Sequence, residues 1–472
     1  MPAQAGDKGC LPMDGNCTRP SPLVLLNIPP AAGSRSTSIV VARTRGRMRW
    51  LFGVVLILGG FLTGAHLVHR LASPVIYTDD FAEDYAAAKA LRAGVSPYTL
   101  PVSTLIRSYI PESTGLTDRP YATPHPPLLA VLVLPLTAVP YRTARELWLE
   151  LECVWLVALV RLVFHRSWLP SLAIAVALIA WPPITLELRY GQWTLLLALL
   201  TLGAWKGRSA PAGAGGVLGL AVALKFFPAV LLGVFVLRRA WRTVAWAIAS
   251  AGAFALAPLA IAPGLLSGYA AAGGPFARAL LPCFANYSAI GAAVRFVQSA
   301  AVAGVPPLVA APASAPLLVL CAVAALLLVA ADTTRHSEGD AAYAVALTAA
   351  VLLAPLAWQY YLCLLLWPIV VLAGELKRQG WPRPAVRAGF AAVVLLSVPQ
   401  QIVSLAAEAA ASAWAPLGAL VLLALPAGPL LLLALLVRCS SRPSARSQLA
   451  SSPSETTAMA ATSLGAEVGA SA

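Results

Sequence analysis

Long apolar runs, recurring from Trp50 to about Val437, constrain this chain more than any other feature. Crossing a hydrocarbon core of roughly 30 Å takes about 20 helical residues, since lipid offers no partner to an unpaired backbone group. Such runs follow one another here, and mean hydropathy is +0.78. Only 11% of residues are charged, against 59% hydrophobic. Soluble globular domains do not carry that ratio. The short alternating segments of a β-barrel are not visible. The sequence predicts an all-α polytopic membrane protein.

A net charge of +14 suggests nucleic acid until its placement is read. Arg43 to Arg49, Arg238 to Arg242, Lys377 to Arg387 and Arg438 to Arg446 lie just outside apolar runs. That is the positive-inside pattern of cytoplasmic loops, so no nucleic-acid partner is expected. The seven cysteines show no metal-ligand spacing, and Cys153, Cys321 and Cys363 read as small buried residues. Residues 1–47 are aperiodic and predict a disordered cytoplasmic tail, with Met48 an alternative start. Residues 48–439 form the membrane domain, and 440–472 a second disordered cytoplasmic tail.

With the amino terminus inside, the threading gives about 12 spans, near 50–69, 126–140, 146–164, 168–187, 191–206, 214–237, 243–262, 312–331, 341–356, 361–375, 386–405 and 414–437. All four basic clusters then face the cytoplasm, while Arg166, Lys206 and Arg208 dissent by falling outside. Two long stretches, Arg70 to His125 and Pro263 to about Ala311, face out. Gln192 falls near the cytoplasmic end of its spans, as a helix-packing hydrogen bonder unless the threading slips there.

The first external stretch holds "DDFAEDYAAAKALRAGVSPY", residues 79–98, with four carboxylates in six residues. It predicts a short interfacial helix, capped by Asp79 or Asp80 and ended by Gly94 and Pro97. Asp80, Asp84, Ala87, Ala88 and Leu91 share one face. Asp79 and Glu83 point elsewhere and read as surface acids. A solvated helix cap, without chemistry, explains the spacing equally well.

The same residues carry a family likeness. Asp-Phe-x-x-x-Tyr-x-Ala-Ala-x-Ala-Leu-x-x-Gly-x-x-Pro-Tyr, from Asp80 to Tyr98, resembles the first external loop of polyprenol-phosphate-dependent glycosyltransferases of the GT-C type, family 87 above all. "PHPPLLAVLVLPLTAVP", "YGQWTLLLALL", "GLAVALKFFPAVLL", "NYSAIGAAVR" and "APLAWQYYLCLLLWP" follow in that family's order, over roughly residues 50–375. The sequence departs from the family pattern at Trp193-Thr194, at Asp84 beside Tyr85, and at Tyr360, where some relatives place His.

The resemblance implies a GT-C-like fold and an inverting sugar transfer on the outer face of the plasma membrane. The donor it implies is a polyprenyl phosphate sugar, of a hexose such as mannose or a pentose. The acceptor it implies is a glycolipid or polysaccharide. Asp80 occupies the family's acidic position and is the expected general base, with Asp84 orienting the acceptor or coupling to it. Lys225, a charge inside an apolar run, is expected at the donor phosphate, or else in an ion pair with Glu187 or snorkelling to the interface. Arg295 offers phosphate a planar fork, or contacts lipid headgroups. His125 can donate to phosphate or sugar hydroxyls, or simply pack its loop. Tyr85, Gln359 and Tyr360 complete the expected substrate-binding set. No metal and no cofactor is expected. Two other classes fit the bare residues: a transporter or lipid flippase, and a non-catalytic envelope scaffold.

Overall fold

The structure is a computed structural model that describes residues 33–72, 76–77, 79–111, 113–114, 119, 121–281, 283, 285–302, 314–337, 339–413, 417–418, 421–422 and 424–440. The rest of the two tails, residues 1–32 and 441–472, lies outside the described residues, whereas the first helix begins at Gly33. The chain divides between Val54 and Val55 into two units, and the second holds every element after the first helix.

The regular structure of the described residues is helical apart from a two-residue parallel pairing of β1 (Ile76–Tyr77) with β2 (Ser113–Thr114). The helices are α1 (Gly33–Ala72), α2 (Asp80–Arg92), α3 (Val102–Tyr109), α4 (Pro127–Val133), α5 (Tyr141–Phe164), α6 (Trp168–Ile179), α7 (Pro182–Tyr190), α8 (Thr194–Lys206), α9 (Pro211–Leu224) and α10 (Leu232–Leu237). They continue as α11 (Trp241–Leu256), α12 (Leu265–Leu280), α13 (Ala289–Val302), α14 (Ser314–His336), α15 (Asp340–Leu353), α16 (Leu366–Arg378), α17 (Arg383–Ser397), α18 (Gln400–Ala413) and α19 (Ala427–Ser440).

Among the described residues, four helices are long and apolar enough to cross a membrane, or six if α6–α7 and α17–α18, each bent by 86°, count as single spans. Six more of the described apolar helices are 10–17 residues long. Proline makes the pieces short. Trp181-Pro182-Pro183 breaks the first bent pair, and Pro399 the second, since a proline ring cannot continue a helix already under way. The breaks are joined, because Trp181 Nε1 donates to Ser397 Oγ at 3.0 Å. At the centre stands α15, buried along its whole length from Ala341 to Leu353, as its uniformly apolar sequence requires. Gly215 and Gly219, four residues apart on α9, let α11 approach until its backbone occupies the space a Cβ would need.

Contacts sort the helix ends into two levels. At one, Asp79 meets Arg145 near the start of α5, and Gln192, before α8, meets Lys225, after α9. At the other, Arg161 near the end of α5 stacks over Trp168 at 3.6 Å. There Lys206, ending α8, pairs with Asp340, starting α15, Arg238 reaches the Ser337 carbonyl, and Ser337 reaches Ser440. The 13 residues of α8 separate the levels by about 20 Å.

This geometry corrects the threading at two places. The run 126–140 does not pass between levels. The His125 and Val139 carbonyls at its two ends accept from Tyr98 and Tyr85 of the same acidic loop. The run 214–237 is no single span either, because it turns back at Lys225, whose backbone is extended (φ −148°, ψ 133°). One passage is lost and one gained, so only the stretch between them was inverted. Arg166, Lys206 and Arg208, expected on the Asp80 side, therefore join Arg238 and Arg378 at the opposite level.

Candidate active site

Helix α2 starts where the sequence places it. The Asp79 carboxylate accepts from the Ala82 amide at 2.9 Å, and Gly94 ends the turn at φ +73°. The helix is not a wet surface element, however. Every residue from Phe81 to Ala88 is buried, Glu83 and Asp84 included, which corrects the placing of Glu83 at the surface. Asp79 is no surface acid either. It accepts from Tyr141 Oη and Arg145 Nε, each at 2.7 Å.

Asp80 stands half-buried at the edge of a cavity of about 240 Å³, whose walls include Glu83, Arg119, Tyr121, His125, Tyr190, Trp358, Tyr360 and Gln400. Its Oδ2 accepts from Gln192 Nε2 at 2.6 Å and from Tyr360 Oη at 3.3 Å. Gln192 is itself held, since its Oε1 accepts from Lys225 Nζ at 3.0 Å, and that ammonium also donates to Tyr361 Oη at 3.0 Å. A line of polar contacts, Asp80–Gln192–Lys225–Tyr361, thus runs inward from the cavity. Lys225 does not pair with Glu187. Glu187 Oε1 instead accepts from the Leu195 amide and caps α8.

The turn carrying Gln192 has one allowed shape. Gly191 sits at φ +69°, and a Cβ there would stand 2.6 Å from Phe81 Cβ and 3.1 Å from Arg145 Cζ. Both the backbone and the space demand glycine. The expectation that Gln192 lies away from Asp80 is wrong. The signal was present in "YGQW", but the threading carried the turn to the wrong level.

Asp84 uses both oxygens, Oδ1 with His125 Nδ1 at 2.7 Å and Oδ2 from Trp193 Nε1 at 2.8 Å. Its place is behind His125, one turn from Asp80. Burial opposes charge on His125, but Asp84 and Glu83 outweigh it and hold the imidazole pKa up at about 9. Because the folded value exceeds the ordinary 6.5, the stabilisation from this charge is complete below pH 6.5 and fades as pH rises through 9. The site therefore carries an imidazolium at neutral pH. Activity is expected to fall above about pH 9, and His125→Gln should remove that limb while lowering activity throughout. A wild-type profile flat to pH 10 would contradict the assignment.

Tyr360 lines the cavity beside Asp80. Tyr85 is buried, gives its hydroxyl to the Val139 carbonyl at 2.7 Å and packs on Phe81 and Tyr141, so it is part of the frame. Arg295 is buried too. It spends its fork on the carbonyls of Cys283 and Asn286, each at 2.9 Å. Asn286 in turn bonds the Pro355 carbonyl and Ala357 amide, steadying the approach to Trp358. Gln359 is buried beneath the wall, between the Val398 carbonyl and the Gln400 amide. Among the described residues, no three of His, Cys, Asp and Glu converge as metal ligands.

What the arrangement can do is bounded by its parts: a carboxylate at the cavity edge, aromatic walls, and in the same lining cationic His125 and Arg119, the latter 3.9 Å from Glu83. These suit a polyhydroxylated substrate carrying an anion. No solved structure matches the chain. It is 38% identical over 98 residues to a polyprenol-phosphate-mannose-dependent alpha-(1-2)-phosphatidylinositol mannoside mannosyltransferase of Mycolicibacterium smegmatis, covering 21% of this chain and 22% of that one. To the protein of the same description from Mycobacterium tuberculosis it is 33% identical over 153 residues, 29% of this chain and 35% of the other. The chain thus spans about a fifth to a third of these relatives. Residues 123–357 match glycosyltransferase family 87. That segment carries His125, Arg145, Gln192, Lys225 and Arg295, while Asp80, Asp84, Tyr360 and Gln400 lie beyond it. Through residues 123–357, the chain is a member of glycosyltransferase family 87.

Proposed function

We propose that this membrane protein transfers a mannosyl unit from a polyprenyl phosphate donor to a glycolipid acceptor, with inversion, at the outer face of the plasma membrane. The observation that carries the reading is the Asp80 carboxylate, held through one oxygen by Gln192 and Tyr360 at the edge of an aromatic cavity. A carboxylate so placed can take the proton of an acceptor hydroxyl as its oxygen attacks the anomeric carbon. The bond from the sugar to the phosphate breaks as the new glycosidic bond forms, and the phosphate leaves with the electron pair. His125, with Asp84 behind it, and Arg119 face that developing charge, and Lys225 adds positive potential from behind Gln192. These cations suit a single phosphate, so no metal enters the reading. An apolar groove of about 330 Å³, walled by Pro126, Pro127, Phe226 and Tyr269, opens next to His125 and suits an isoprenoid tail.

The orientation rests on charge. Arg161, Arg166, Lys206, Arg208, Arg238 and Arg378 lie at the level opposite Asp80, and basic residues stay inside. Counting each passage between levels along α1, α5, α6, α8, α9, α10, α11, α14, α15, α16, α17 and α19 gives about 12, with both termini cytoplasmic. In a cysteine-free background, a membrane-impermeant maleimide should label Thr99→Cys in intact cells, and Ser209→Cys only after permeabilisation. The reverse pattern would invert the protein. The activity is tested with purified protein, radiolabelled polyprenyl phosphomannose and a phosphatidylinositol mannoside. Label should move into the glycolipid, and its absence there would overturn the reading.

A further inference from the structure

Gln400 lies on the cavity wall, outside the segment that matches family 87. It begins α18, at the 86° break after Val398-Pro399. Among the described residues its carboxamide has no hydrogen-bond partner, while its backbone is fixed firmly. The Gln400 amide donates to Gln359 Oε1 at 3.0 Å, and Gln359 Nε2 donates to the Val398 carbonyl at 2.7 Å. One buried side chain therefore bridges the break and aims the next residue. The bridge is steadied from outside by Trp181, which bonds Ser397 across the other broken helix pair.

A carboxamide offers two donors and one acceptor with two lone pairs, in one plane. It shares the cavity with the rings of Tyr190, Trp358 and Tyr121 and with Glu83 and Arg119. A flat aromatic face beside an amide and a carboxylate suits a pyranose ring, whose apolar face stacks while neighbouring hydroxyls bond at its edge. We propose that Gln400 is an acceptor-recognition residue, bonding hydroxyls of the sugar ring that presents the attacking oxygen to Asp80, and that Gln359 positions it. The assignment rests on the transfer reading above. It divides the cavity by partner: phosphate at His125 and Arg119, acceptor ring at Gln400 and Trp358.

The test is a pair of variants read by both substrates. In Gln400→Leu, similar in volume but unable to bond, the acceptor KM should rise about tenfold, the cost of one to two neutral hydrogen bonds. The donor KM should stay within twofold. Gln359→Leu should show the same acceptor-side change, because the break then loses its bridge. Gln359→Glu, which keeps the acceptor oxygen for the Gln400 amide, should recover part of it. A second arm needs no turnover: quenching of tryptophan fluorescence by octyl α-mannoside should saturate, and weaken about tenfold in Gln400→Leu. An unchanged acceptor KM and unchanged quenching in that variant overturn the inference. So do equal rises in both KM values. Absent transfer in wild type, with quenching still weakened by Gln400→Leu, would sink the transfer reading while upholding the sugar site.

Discussion

Asp80→Asn is expected to lower turnover by about 10²–10⁴-fold, the usual worth of a positioned general base, with little change in donor affinity. Asparagine has the same shape, so α2 keeps its packing and its Asp79 cap. What vanishes is the ability to take a proton 2.6 Å from the Gln192 amide that orients it. Asp84→Asn should act differently. It leaves the base in place but removes the carboxylate beside His125, so its loss should appear chiefly in donor KM and in the alkaline limb. Asp79→Asn touches neither group, yet it withdraws a charge from Arg145, so its cost should fall on stability. Steady-state kinetics on the three variants, alongside unfolding midpoints, separates these effects. Full activity in Asp80→Asn would remove the proposed base and leave α2 a structural helix.

Arg145→Met should cost about 3–5 kcal/mol of stability, the usual penalty for breaking a buried ion pair from one side. Arg145 is buried between three elements. It donates to Asp79 at 2.7 Å, to Glu152 at 3.4 Å and to the Leu188 carbonyl. Its guanidinium also packs on Gly191. Removing it leaves the half-buried Asp79 and the buried Glu152 carboxylates without their counter-ion, and uncouples α2 from the turn that carries Gln192. Arg145→Lys keeps the charge but not the fork, and should fall between. Equilibrium unfolding in detergent measures the series. A change below about 0.5 kcal/mol in Arg145→Met would show that the network carries little of the fold.

Local features were legible in the sequence because neighbouring residues decide them. The cap at Asp79, the stop at Gly94 and the apolar core helix after Asp340 all follow from a few adjacent side chains. Direction was harder to read. A proline break in an apolar run hardly changes its hydropathy, so the reversal at Lys225 and the level passage missing from 126–140 gave no signal in composition. That hid the pairing of Gln192 with Asp80, 112 residues apart. Arg145 is hidden in the sequence for a related reason. Its helix face reads as ordinary charge until Asp79, 66 residues earlier, is found against it. At Gln359 the sequence points to a stretch beside the cavity, while the glutamine on its wall is Gln400, across a break the sequence shows only as Val-Pro.

The stereochemical course of the reaction tests the central claim most directly. Purified protein would be given polyprenyl phosphomannose of known anomeric configuration and octyl α-mannoside, and the product's anomeric configuration read by NMR. The expected result is a single product of inverted configuration from the wild type, formed at least 100-fold more slowly by Asp80→Asn, the lower bound for losing a general base. Retention at the anomeric carbon, or equal rates in the two proteins, would contradict a one-step displacement with Asp80 as its base.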